Sequence, residues 1–84
     1  MIISFSTRGW EDYLELQRVD AKATKRINKL IAEIVRDPFA GLGKPEPLRH
    51  EWVGYWSRRI DGEHRLVYKV TDTAIQIAQC RYHY

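Results

Sequence analysis

Tyr55-Trp56-Ser57-Arg58-Arg59-Ile60-Asp61-Gly62-Glu63-His64-Arg65-Leu66-Val67-Tyr68-Lys69-Val70 is the stretch whose pattern decides the fold. Two runs rich in aromatic and branched residues flank Asp61-Gly62, a dipeptide that favours a two-residue hairpin turn. The expected strands run from Tyr55 to Ile60 and from Glu63 to Thr71. Side chains alternate between the faces of a strand, so His64, Leu66, Tyr68 and Val70 share one side and Arg65, Val67 and Lys69 the other. The first side suits a core. The second carries Arg65, and hairpin pairing brings Arg59 or Arg58 close to it.

Downstream, Asp72-Thr73 marks a weaker turn into a last strand, Ala74 to Tyr82. Regular alternation there puts Ile75, Ile77, Gln79, Arg81 and His83 on one side, opposite Gln76, Ala78, Cys80, Tyr82 and Tyr84. Upstream, residues 38–47 hold all three prolines and two of the five glycines, which makes a loop of restricted shape that fixes Glu46 between Pro45 and Pro47. Before this loop the spacing is helical. Asp20 is a good N-cap for a helix carrying Ala23, Ile27, Leu30, Ile31 and Ile34 on one face, and Pro38 ends it. An earlier helix, capped by Ser6 or Thr7, is expected to bury Trp10, Tyr13, Leu14 and the stem of Gln17. Ile2 to Phe5 reads as an opening strand.

The order is therefore β-α-α-β-β-β. With 84 residues, 44% of them hydrophobic and 30% charged, the chain is read as one domain spanning residues 1–84. A chain this short buries a thin core, so the expected class is α+β, with two helices packed on one face of an antiparallel sheet. Catalytic groups must then lie on a shallow surface. The single cysteine, Cys80, fits a reducing compartment and excludes a multi-cysteine zinc or disulfide scaffold. Neither a signal peptide nor a membrane span is apparent, so the reading is a soluble cytoplasmic protein with no membrane partner. The net charge of +3 suits nucleic acid without requiring it.

A Gly-rich phosphate loop, metal-ligand spacing and a nucleophile elbow are all missing, which argues against metal or nucleotide-cofactor enzymes. The remaining polar residues are of the types that cleave an RNA phosphodiester without metal: a carboxylate base, a histidine acid, arginines for phosphate and aromatic rings for bases. Glu46 could take the proton of a ribose 2′-hydroxyl, His83 could protonate the leaving 5′-oxygen, and Arg65 could stabilise a pentacoordinate phosphate. Each has an ordinary reading too: a solvated loop carboxylate, a terminal residue, and an arginine paired with Glu63 or Asp61. Lys44, Arg49, Arg58 and Arg59 are candidate phosphate anchors, and Trp52, Tyr55, Trp56, Tyr82 and Tyr84 candidate stacking rings. Trp56 and Tyr68 suit the core better, and Tyr84 has no evident core duty. His50 is read as peripheral or structural, His64 as packed with one hydrogen bond satisfied, and Cys80 as a small core residue.

Gly41-Leu42-Gly43-Lys44-Pro45-Glu46-Pro47-Leu48, Gly54-Tyr55-Trp56-Ser57-Arg58-Arg59-Ile60, Glu63-His64-Arg65-Leu66-Val67-Tyr68 and the ending Arg81-Tyr82-His83-Tyr84 closely resemble the YoeB toxins of the RelE superfamily. The resemblance extends over the whole chain. It implies a microbial-RNase-like fold and a type II toxin: a ribosome-dependent endoribonuclease that cleaves mRNA in the ribosomal A site and needs neither metal nor cofactor. Glu46 then matches the family's general base, His83 its general acid, Arg65 its phosphate-stabilising arginine and Tyr84 a ring that holds the nucleotide. Arg59 and Arg49 match supporting RNA contacts, Arg49 standing where a lysine is familiar; the standing of Lys44 and Arg58 is left unchanged. The implied partners are a YefM-type antitoxin, the ribosome and mRNA, with operator DNA reached only through the antitoxin. A homodimer could use Trp10, Tyr13 and Trp52. Two other readings predict different outcomes: a blocker of the A site that does not cleave, and a co-regulator that mainly folds an antitoxin segment.

Overall fold

Two capping side chains start the two helices. Ser6 follows strand β1 (Ile2–Phe5) and accepts a hydrogen bond from Gly9 N at 2.9 Å, opening α1 (Thr7–Val19) in a computed structural model that describes residues 1–82. Asp20 does two jobs. Its N–H closes α1 on Leu16 O at 2.7 Å, and its Oδ1 accepts from Ala23 N at 3.0 Å to open α2 (Ala21–Arg36). Asp37 caps the far end of α2, one residue before Pro38, as proline geometry requires.

Among the described residues the sheet has five strands in the order β1-β5-β4-β3-β2, where β2 is Glu46–Pro47, β3 Trp56–Arg59, β4 Arg65–Val70 and β5 Ala74–Gln79. The α+β class and the two helices on one face are as expected. Two features go beyond the sequence reading. Strand β1 lies parallel to β5, and Glu46-Pro47 adds a short antiparallel edge to β3. No helix among the described residues is long and apolar enough to cross a membrane.

Core residues Ile27, Leu30 and Ile34 of α2 meet Leu66, Tyr68, Ile75 and Ile77 of the sheet. At about 1.5–3 kcal/mol for each large side chain removed from water, this layer supplies most of the drive to fold. The face of α1 differs from the expected one. Gly9 and Leu16 are its buried residues, while Trp10 and Leu14 remain exposed. The cause is close approach: a Cβ at Gly9 would stand 2.7 Å from Ile77 O, so only glycine lets α1 lie this near β5. Trp10 instead stacks on Tyr13 at 5.8 Å and meets Phe5 edge-on at 5.6 Å.

The hairpin turn is also longer than two residues. Arg59 and Arg65 form the last β3–β4 pair, and residues 60–64 make the connection. A two-residue turn of the expected kind needs positive φ at both central positions, which Gly62 does not adopt. Asp61 organises the turn instead, its Oδ1 accepting from Glu63 N at 2.8 Å and His64 N at 2.7 Å. Burial acts to raise the Asp61 carboxyl pKa, but the N–H groups of His64 and Glu63 outweigh it and hold the carboxyl below its ordinary value.

A bulge alters the face pattern of β5. Tyr68 pairs with Ile77 but Val67 with Gln79, so Ala78 is an extra residue in β5. Gln79 therefore moves to the face away from the helices, and Cys80 joins Ile75 and Ile77 in the core, contrary to regular alternation. The N-terminal part of α1 satisfies the displaced backbone: Ser6 Oγ donates to Ala78 O at 2.7 Å, and Asp12 Oδ2 accepts from Cys80 N at 3.1 Å. Burial, with the Asp12 carboxylate nearby, pushes the Cys80 thiol up to about 12, making it inert.

Arg58 requires the main correction. Read as a candidate phosphate anchor, it is fully buried. Its position in β3 alternates with Ser57 and Arg59, which turns it toward Leu66 and the helix layer. The guanidinium donates four hydrogen bonds, to Tyr68 Oη (3.1 Å), Leu42 O (3.0 Å), Asp37 O (2.7 Å) and Ala40 O (3.0 Å), and Tyr68 Oη in turn donates to Pro38 O at 2.7 Å. Four of its five N–H groups are used inside the fold, and its burial keeps the fifth from RNA.

Replacing Arg58 with Met should lower the unfolding free energy by about 3 kcal/mol or more, on the order of 1 kcal/mol for each carbonyl left unmatched, as measured by urea denaturation. An unchanged midpoint would show that water replaces the guanidinium freely. Gly9→Ala should lower the thermal midpoint, although alanine is favoured by ~1 kcal/mol in an open helix, because the added Cβ must push α1 away from β5.

Candidate active site

Strand register assembles the site. Glu46 pairs with Ser57, Ser57 with Val67, and Val67 with Gln79, so these four side chains form one row across the helix-free face. The directly opposed pair Arg59 and Arg65 forms the next row on the same face, one two-residue step of roughly 6.7 Å along the strands. On the other side of the Glu46 row are Lys69 and Gln76, with Lys69 Nζ above the Tyr55 ring at 5.6 Å. Sequence alternation places Lys69 on this face with Arg65 and Val67, but assigns neither Ser57 nor Gln79 to it. The alternation of β3 could have identified Ser57, whereas Gln79 depends on the bulge.

Arg65 does not form the ion pair with Glu63 or Asp61 that its ordinary reading required. Its Nη1 donates to the main-chain carbonyls of Asp61 at 2.8 Å and His64 at 3.1 Å. Among the described residues neither Arg59 nor Arg65 has a carboxylate within ion-pair distance. Two arginines at opposed strand positions, with no ion-paired carboxylate among the described residues, can bind an anion, and a guanidinium fork suits phosphate oxygens.

Glu46 is exposed at the sheet edge and opens a cleft of about 470 Å³ that runs through Arg49 and His50 to Trp52. The loop is set by main-chain geometry. Gly43 has φ +87°, and a Cβ there would meet Leu30 Cδ2 at 2.9 Å; its carbonyl accepts Arg59 N at 2.7 Å. That bond ties the start of the Glu46 segment to the arginine row. Lys44 is exposed two residues before Glu46. Arg49 is exposed in the cleft just before the single 3₁₀ turn His50–Trp52. His50, read as peripheral or structural, is also in this cleft, at φ +57°, near Glu46 and Arg49.

Aromatic candidates separate by burial. Tyr68 is fully buried, and Trp56 packs against the core and meets Phe39 at 4.9 Å. Trp52 and Tyr55 pack edge to face at 5.1 Å. Tyr82 is exposed, with the Arg81 guanidinium 4.6 Å from its ring centre. His64 is buried and accepts one hydrogen bond on Nδ1, from Tyr82 N at 2.8 Å, in line with its sequence reading. His83 and Tyr84 lie outside the described residues.

A family model described as YoeB-like toxin of bacterial type II toxin-antitoxin system matches residues 5–84. A relative from Streptomyces coelicolor, Toxin YoeB, is 62% identical over 84 residues, 100% of each chain. The YoeB dimer structure from Staphylococcus aureus superposes with a TM-score of 0.94 at 49% identity, over 100% of this chain and 98% of that one. The heterotetrameric YoeB-YefM toxin-antitoxin complex from the same species does so with a TM-score of 0.91 at 49% identity and the same coverage.

Like charges directly opposite on a sheet are destabilising by about 0.2–1 kcal/mol, so Arg59→Gln should raise the urea midpoint at low salt. The gain should shrink as salt is added. A loss of stability would mean that the two guanidinium groups do not repel as placed.

Proposed function

Because the chain belongs to the YoeB toxin family of bacterial type II toxin-antitoxin systems, we propose that it is a metal-independent endoribonuclease acting on mRNA in the ribosomal A site. The observation that carries this reading is the directly opposed Arg59–Arg65 pair on the same sheet face as Glu46, with no ion pair to a carboxylate among the described residues.

In the proposed reaction Glu46 takes the proton of a ribose 2′-hydroxyl, and the resulting oxygen attacks the adjacent phosphorus. The bond from phosphorus to the 5′-oxygen breaks as His83 gives that oxygen a proton. The products are a 2′,3′-cyclic phosphate and a 5′-hydroxyl end. Arg65 stabilises the charge that builds on the phosphoryl oxygens, Tyr84 holds the nucleotide, and Arg59, Arg49 and Lys44 contact the RNA backbone. Arg58 has no direct part, since it is fully buried and four of its five N–H groups are used inside the fold. Such a shallow site relies on the ribosome to position its RNA.

A YefM-type antitoxin is the proposed silencing partner, supported by the heterotetramer that a relative forms. An acidic segment that orders on contact would complement the arginine row.

Brief incubation with translating ribosomes, followed by mapping of RNA ends, tests the reading. Cyclic-phosphate and 5′-hydroxyl ends are expected without added metal. Alanine at Glu46, Arg65 or His83 should each lower the cleavage rate by about 10²–10⁴. Arrested translation with intact mRNA would favour the A-site blocker instead, and full activity in all three variants would reject the roles given to these residues.

A further inference from the structure

His64 lies outside the proposed chemistry, yet its position is unusually well defined. It is 6% exposed. Its main chain is held on both sides: Asp61 Oδ1 accepts its N–H at 2.7 Å and Ile60 N donates to its carbonyl at 3.1 Å. The imidazole is thereby fixed at the start of β4, one residue before Arg65. One of its nitrogens and an oxygen from each of Asp20 and Asp61 lie within 4.8 Å of one another, so acidic groups approach it from the α1–α2 joint and from the hairpin turn.

The ring's Nδ1 accepts the main-chain N–H of Tyr82 at 2.8 Å. A main-chain N–H can only donate, so Nδ1 presents its lone pair and the neutral ring carries its proton on Nε2. A metal ion on Nδ1 would displace this bond. The next residue, Arg65, completes the hold, its N–H donating to Tyr82 O at 3.1 Å. His64, just before β4, and Arg65, its first residue, thus take both polar main-chain groups of Tyr82. They do so where support is needed, because Tyr82 has φ +61°, a left-handed conformation that non-glycine residues rarely adopt and that persists only when its surroundings impose it. The imidazole and the Tyr82 ring also pack at 5.5 Å.

We infer that His64 is a positioning residue: by accepting the Tyr82 N–H it sets the left-handed backbone of the residue that immediately precedes His83 and Tyr84 in sequence. The inference rests on the proposed roles of those two residues. Its physical content is separate, since a main-chain bond next to the general acid fixes the acid's starting point relative to Arg65. Displacement of a catalytic group by about 1 Å can cost a hundredfold in rate. His64 touches no reacting atom in this scheme and acts through residues that do.

The test compares wild type with His64→Asn and His64→Leu. Asparagine carries Oδ1 the same number of bonds from Cα as Nδ1 and keeps the acceptor; leucine fills space without one. Hydrogen exchange at the Tyr82 amide reports the bond, and single-turnover cleavage on saturating programmed ribosomes reports its effect. With His64→Leu the amide should lose protection and the first-order rate should fall roughly tenfold to a hundredfold, with half-saturation unmoved. With His64→Asn both should return to within about threefold of wild type, which a loss of packing alone would not produce. If His64→Leu does not fold, His64→Gln, whose acceptor is one bond farther out, takes its place with the same expectations. Wild-type cleavage by the Leu variant, or an Asn variant as slow as Leu, overturns the positioning role alone. A wild-type protein that cleaves nothing while its Tyr82 amide stays protected overturns the reading of the site and leaves the bond standing.

Discussion

The buried Arg58 guanidinium is the constraint on which the site depends. A charge removed from water must be matched by acceptors, and here these come from Asp37, Ala40 and Leu42 together with Tyr68 Oη. Three of the four are main-chain carbonyls of the segment that leaves α2. A Pro- and Gly-rich loop, which alone would sample several paths, is thus pulled onto β3. The last carbonyls of a helix carry partial negative charge, so Asp37 O is a favourable place for a cation. Arg58 facing inward also means that Ser57 and Arg59 face outward, and Arg59 N then reaches Gly43 O at 2.7 Å. One buried side chain therefore settles where the Glu46 segment begins and which of two adjacent arginines reaches solvent.

The two faces of the sheet carry different loads. The helix face holds the main apolar core, while on the other face Ser57, Val67 and Gln79 are buried and Glu46 and Arg59 are exposed. The proposed function uses the exposed parts of this second face. Opposing Arg59 to Arg65 costs stability, and no carboxylate offsets it among the described residues. Local rules that agree throughout the helices are broken at this one row, as is common where binding sets the requirement.

What the sequence made legible follows the range of the interactions. Asp20 as a cap, Pro38 as a stop and the strands around Asp61-Gly62 depend on neighbours within a few residues, and all three were readable. Glu46 and Arg65 on an accessible surface were readable from strand alternation and loop composition. The face of α1 was not, because Trp10 and Leu14 are more apolar than Gly9, and the value of Gly9 appears only when Ile77 O is 2.7 Å from where its Cβ would be. Arg58 and Arg59 are chemically alike, and only the inward row of Trp56, Arg58 and Ile60 against the outward Ser57 and Arg59 tells them apart. The parallel pairing of β1 with β5 is not encoded in either strand alone.

The bulge at Ala78 has the widest reach of any single backbone irregularity. A period of two means that one extra residue inverts every later side chain. With unbroken alternation Gln79 would enter the core and the Cys80 thiol would face the arginine row. With the bulge Gln79 joins Glu46, Ser57 and Val67, and Cys80 closes the core beneath α1. Its displaced polar groups are taken by Ser6 and Asp12 of the first helix region, and the turn that follows is held by Arg65 of the central strand and by His64 just before it. The path of the chain from Ala78 to Tyr82 is thus set by residues more than fifteen positions away in sequence. That dependence ties the folding of the entire domain to the completion of its proposed site.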